Sequence, residues 1–117
     1  MKNIKRFDVV ESKSILVGQT GLLWSYTVPP DAIAKIKKFG NSLLDPDAWG
    51  FAYWTIKRNG VPIEAPYDKI FDQLGFASML KEINIDDFNG GDLIEVYATN
   101  EYIDPLGIGL LMVVEVI

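Results

Sequence analysis

The chain of 117 residues contains no cysteine and no histidine. Without cysteine there are no disulfides, so the fold must be held by packing, and cysteine usage gives no reading of the redox compartment. Without histidine the chain lacks the usual general base at neutral pH, the Ser-His and Cys-His nucleophile pairs, and the imidazole ligands of ordinary zinc sites. Positive charge is scarce as well: 11 Lys and Arg stand against 16 Asp and Glu, for a formal net charge of −5. That balance argues against nucleic acid or an anionic membrane as partner, since either needs a basic patch. Basic residues gather only locally, at Lys2, Lys5 and Arg6 and at Lys35, Lys37 and Lys38. No apolar run reaches the length of a membrane span. The basic start passes at once into polar and acidic residues, so a secretory signal is not expected.

What is present is an ordinary soluble composition with an apolar lean: 49% hydrophobic, 23% charged, mean hydropathy +0.13. A chain of this length forms one domain that buries roughly two thirds of its unfolded surface. The apolar excess leaves material for an interface between subunits.

The segment from Trp54 to Ile63 carries the strongest local signal, because Asn59-Gly60 between two apolar-alternating runs specifies a two-residue β-hairpin. With Asn59 and Gly60 at the positive-φ positions, Arg58 falls opposite Val61, Lys57 opposite Pro62, Ile56 opposite Ile63 and Trp54 opposite Ala65. Trp54, Ile56, Val61, Ile63 and Ala65 then share the core face, with Tyr53, Thr55 and Lys57 on the other. Pro62 lacks an N–H for a further partner, which places the second strand at a sheet edge.

Elsewhere the period is also two. Residues 1–13 read as an N-terminal arm or a first short strand, with Phe7 and Val9 as anchors. Residues 14–117 form the sandwich domain. Leu22, Trp24, Tyr26 and Val28 alternate before Pro29-Pro30-Asp31, and Ala34 and Ile36 alternate with Lys35 and Lys37. Residues 41–50 read as loop. Ile70, Phe71 and Leu74 at helical spacing before Gly75 fit one short helix or a structured loop. Leu80, Ile83 and Ile85 read as a short strand, and Leu93 to Thr99 is the cleanest strand, with Ile94, Val96 and Ala98 on one face. The tail is apolar on both faces: Leu106, Ile108, Leu110, Met112, Val114 and Val116 on one, Leu111, Val113 and Ile117 on the other. Such a strand is central or covered, and Leu111, Val113 and Ile117 are candidates for an oligomer interface. These elements define an all-β chain, an antiparallel β-sandwich with jelly-roll-like connectivity, immunoglobulin-like topology being the alternative.

Candidate sites are few. The loop Asp86-Asp87-Phe88-Asn89-Gly90-Gly91-Asp92 offers oxygen ligands but lacks the alternating acids and terminal Glu of a calcium loop, so it reads as a turn. Trp24 and Trp54 fall on core faces, leaving Trp49 and Tyr53 as candidates for contact with a ligand or partner. No carboxylate pair stands out, so no catalytic residue, metal or cofactor is expected.

Three segments together, Tyr26 to Asp31, Trp54 to Ile63 and Gly90 to Asn100, resemble small β-sandwich virion proteins of tailed phages, the head decoration (cement) proteins and the base domains of head fibres. The resemblance implies a non-enzymatic capsid decoration protein. It would be a homotrimer located in the virion, binding the major capsid protein or other shell subunits and stabilising the assembled head. A carbohydrate- or receptor-binding module on the same scaffold is the alternative, using Trp49, Tyr53 and neighbouring loops.

Overall fold

The computed structural model describes residues 4–117 and is all-β. The strands are β1 (Lys5–Ile15), β2 (Thr20–Thr27), β3 (Ile33–Leu43), β4 (Ala52–Arg58), β5 (Val61–Pro62), β6 (Lys81–Glu82), β7 (Phe88–Asn89), β8 (Leu93–Asn100) and β9 (Leu106–Val116). They form two antiparallel sheets packed face to face, a β-sandwich. One runs β1-β9-β3-β6, with β7 also on β3, and the other runs β2-β8-β4-β5.

β9 lies at the centre of the first sheet. It pairs along its length with β1, from Lys5 opposite Val116 to Ile15 opposite Leu106, and on its other edge with β3. The final residue stays in register, since Ile117 and Ile33 exchange both backbone hydrogen bonds. The alternation expected for this strand is present: Leu106, Ile108, Leu110, Met112, Val114 and Val116 are buried between the sheets. Leu111, Val113 and Ile117 lie on the opposite face, half-buried. Facing β9 across the core are Trp54 and Ile56 of β4 and Ile94, Val96 and Ala98 of β8, all buried. The Trp54 indole N–H crosses the sandwich to donate to the Gly109 carbonyl at 3.2 Å, so the largest core side chain also satisfies its one polar group.

The Asn59-Gly60 turn has φ of 52° and 82°, the two positive values that its type requires. Arg58 pairs with Val61 and Lys57 with Pro62, Ile63 N–H donates to the Ile56 carbonyl, and β5 is the sheet edge, as the sequence predicts. Beyond Ile63 the register departs from expectation. Trp54 exchanges backbone bonds with Ile70 instead of Ala65, and Val61 and Ala65 are exposed. The chain leaves the ladder at Glu64 and returns after the cis Ala65-Pro66 bond.

Several other expectations are corrected. Of the two readings of residues 1–13, arm or first short strand, residues 5–13 take the second, within a β1 longer than expected that carries Val9 and Ile15 into the core. Residues 1–3 of the proposed arm lie outside the described residues. Residues 41–43 extend β3 rather than opening a loop, and a short 3-10 turn, Pro46–Ala48, capped by the Asp45 carboxylate, follows. Of the two readings of residues 67–74, the structured loop holds and the short helix does not: the loop is fastened to β3 by the buried Asn41, which donates to the Asp72 carbonyl and accepts from Leu74 N–H, both at 2.9 Å. A bulge between Leu22 and Trp24 turns Leu23 inward, so Leu22 is exposed and Trp24 only half-buried. A second bulge between Ile36 and Lys38 shifts the inward face from Ile36 to Phe39.

Two glycines mark close approaches of a different kind. A Cβ on Gly90 would overlap the Pro30 carbonyl oxygen, whereas the one overlap for a Cβ on Gly109 would be with the Ser42 hydroxyl of the adjacent strand. Backbone cannot yield as a side chain can. Gly90→Ala is therefore expected to lower stability by about 1–3 kcal/mol and Gly109→Ala by less than about 1 kcal/mol, compared by urea denaturation.

Candidate functional surfaces

Three surfaces and one loop hold the residues that chemistry or recognition would use. The first surface is the outer face of the β1-β9-β3 sheet. Val10, 70% exposed, lies opposite Leu111, and Leu111 lies opposite Gly40 on its other side. Val113 lies between Asp8 and Lys38, and Glu115 between Arg6 and Lys35. Arg6 Nη2 pairs with Glu115 at 2.8 Å, and that hydrogen bond first, then the charges of Arg6, Lys37 and Lys35, hold the Glu115 carboxyl below its usual range. The face thus carries an apolar band of Val10, Leu111 and Val113 flanked by charge, with Asp8 and Lys38 beside Val113 and the Arg6–Glu115 pair beyond. Of the expected interface residues, Leu111 and Val113 share this band, while Ile117 sits at its edge beside Ile33.

The second surface is one end of the sandwich, where the connections 16–19, 44–51 and 101–105 meet. Gly18 N–H donates to the Asn100 carbonyl and Glu101 N–H to the Phe51 carbonyl. Buried Asn100 ties them further, donating to the carbonyls of Ile15 and Asp104 and accepting from Tyr102 N–H. Projecting from this braced base are Leu16 (64% exposed), Leu44 (86%), Phe51 (53%) and Ile103 (80%). Burial raises the Tyr102 phenol, and the nearby carboxylates of Asp45, Asp47 and Asp104 raise it further, so the end is both apolar and acidic.

The third surface is the outer face of the β2-β8-β4 sheet. Thr20 lies opposite Thr99 and Thr99 opposite Tyr53; Leu22 lies opposite Tyr97 and Tyr97 opposite Thr55. The Thr20 and Thr99 hydroxyls are hydrogen-bonded at 2.8 Å, and Tyr97 donates to Glu95 at 2.7 Å, a bond that with burial holds the phenol above its usual range. Lys57 Nζ stands 4.5 Å from the Tyr97 ring centre and Lys69 Nζ 5.1 Å from that of Tyr53. With Pro62 and Asp68 these side chains line a shallow groove of about 260 Å³.

The structure separates the two aromatic candidates. Tyr53 lies in this groove, its ring also against Phe71. Trp49 packs on the core side of the same strand, stacked on buried Trp54 with ring centres 5.6 Å apart. Phe7 and Val9 are engaged within the chain, Phe7 against Tyr26 and Val9 in the core. Tyr97, Lys57, Lys69 and the threonines were not singled out by sequence reasoning. Their outward positions on β4 and β8 follow from the alternation, but their convergence with β2 and with the 63–70 segment does not.

The acidic loop is organised around an internal cation. Asp92 accepts from Arg58 Nη1, Asn59 Nδ2 and Asn89 N–H, each at 2.9 Å. Arg58 also donates to the carbonyls of Asp87 and Asp86 and lies over the Phe88 ring. A guanidinium therefore occupies the place where these oxygens converge.

Together these features define an all-β sandwich whose candidate recognition residues lie on open sheet faces and loop ends. No family model, curated protein or solved structure matches the chain.

The hydrogen bond from Asn59 foremost, with those from Asn89 and Arg58, holds the Asp92 carboxyl below its ordinary 3.8. A lowered folded value means that the stabilisation is full above the unfolded value and lost as pH falls through the folded one. Asp92→Ala is expected to cost about 1–2 kcal/mol at neutral pH and to flatten the acid limb of the stability profile below pH ~4, followed by urea denaturation across pH.

Proposed function

We propose that this chain is a non-enzymatic virion structural protein, a capsid decoration protein that binds the assembled head as a homotrimer and stabilises it. The observation that carries the reading is the strand order, β1-β9-β3-β6 against β2-β8-β4-β5. Taking β6 and β7 as one interrupted strand along the edge of β3, we read this as a jelly-roll order, an architecture used by viral shell proteins and by lectins, and that supports the proposal. Fold alone does not assign function, and the surfaces add what the order leaves open.

The apolar band of Val10, Leu111 and Val113 is the contact between copies, in keeping with the apolar character of oligomer interfaces. The braced loop end, with Leu44 and Ile103 projecting, is the contact with the shell. On this reading the protein works passively, by bridging neighbouring shell subunits.

A second reading, a carbohydrate-binding module, is favoured by one observation: the groove that brings Tyr53 beside Tyr97, Lys57 and three threonines on an open sheet face. Lectins share the jelly-roll architecture.

The two contacts are separable by substitution. Leu111→Asp is expected to convert the trimer to monomer in size-exclusion chromatography with light scattering, with an unchanged circular dichroism spectrum. Ile103→Asp is expected to leave the trimer intact and abolish co-sedimentation with shells assembled without this chain. A wild-type chain that fails to co-sediment with those shells contradicts the decoration reading.

A further inference from the structure

We propose that the groove on the outer face of the β2-β8-β4 sheet is a binding site for an acidic sugar, a pyranoside carrying a carboxylate. This inference rests on the carbohydrate-binding reading and names the ligand class of that same groove.

The argument begins with charge. The protein is strongly acidic, at net −5, and among the described residues its ion pairs are Arg6–Glu115, Lys35–Asp87 and Arg58–Asp92. Lys57 and Lys69, both in the lining of the groove, belong to none of these pairs. Carboxylates near them include Asp68 in the groove lining, Asp72 in the neighbouring pocket that Lys69 also lines, and Glu95 opposite Lys57 in the ladder, which already accepts the Tyr97 hydroxyl. Two ammonium groups thus border one groove in a protein where cations are the minority.

Position is the second element. Each ammonium is held over a tyrosine ring, Lys57 on Tyr97 and Lys69 on Tyr53. A cation tethered by an aromatic face loses less side-chain freedom when it meets an anion, so part of the ordering cost is met before the ligand arrives. The same contacts cover ring faces that a neutral sugar would use for stacking. The groove therefore favours a ligand that engages the lysines.

The third element is the rest of the lining. Thr20 and Thr99, whose hydroxyls are bonded to each other, keep one donor and spare lone pairs between them for sugar hydroxyls, while Thr55 lies buried at the groove floor. Pro62 and the tyrosine ring edges supply apolar surface for the C–H face of a pyranose. At about 260 Å³ the groove holds one sugar ring.

The test is a titration of the full-length isotope-labelled protein, followed by ¹H–¹⁵N correlation spectra. The probes are the methyl glycosides of N-acetylneuraminic acid and of glucuronic acid, methyl glucoside as the neutral control, and sodium acetate as the free carboxylate. The proposal expects saturable shifts at residues 53–57 and 97–99 with at least one acidic glycoside, and much weaker responses to methyl glucoside and acetate. Lys57→Gln and Lys69→Gln should each weaken binding about tenfold while leaving the remaining spectrum unchanged. Equal binding of methyl glucoside at the same residues overturns the acidic-ligand inference and keeps the carbohydrate reading. Equal binding of acetate overturns the sugar requirement, and no saturable response to any glycoside overturns both.

Discussion

Everything in this molecule is arranged around one strand that must be covered on both edges and buried along one face. β9 supplies six inward apolar side chains to the core and receives β1 and β3 on its two edges. Because β1 comes from the other end of the chain, this pairing closes the first strand onto the last. The second sheet then has one place to go, over the buried face of β9, where Trp54 reaches across to the Gly109 carbonyl. The same centrality leaves the outer face of β9 as the middle of an open sheet, which is why its alternate apolar residues, half-buried, face outward.

The polar residues in the interior do a different job. Asn41 and Asn100 are fully buried and each satisfies its amide with backbone groups of a connection, Asn41 the 72–74 loop and Asn100 the ends around 15 and 102–104. Left unpaired, such groups would carry a desolvation cost of about 1–3 kcal/mol. Paired, they fix loops that have little apolar content of their own. The Arg58–Asp92 pair does the same at the opposite end, joining the hairpin turn to the turn before β8. Loop order therefore comes from side chains on the strands, and the surfaces proposed for recognition stand on rigid supports.

What the sequence made legible follows from range. The all-β class, the Asn59-Gly60 turn, the edge position of Pro62, and the inward faces of β8 and β9 rest on neighbours within a strand or a tight turn. The β4–β5 hairpin joins strands consecutive in sequence; the main ladders join strands far apart, and periodicity carries no information about them. The two bulges broke the alternation rule at Leu23 and at Lys38, since a single extra residue reverses every later side chain. The spacing of Ile70, Phe71 and Leu74 left helix and loop equally open, and the loop wins because Ile70 is held by a backbone bridge to Trp54 and by core burial. Of the candidate site, Tyr53 was visible as an outward aromatic, whereas its companions arrive from β2, β8 and the 63–70 segment through long-range pairing. Trp49 looked exposed because a loop tryptophan gives no sign that it stacks on another ring.

The proposed role as a decoration protein stands or falls on stoichiometry. The decisive measurement is quantitative mass spectrometry of gradient-purified particles from the source, counting this chain against the major shell protein. The account expects a fixed ratio corresponding to many tens to hundreds of copies per particle, as symmetric occupancy of a shell requires. Absence from purified particles, or a handful of copies in each, would contradict it.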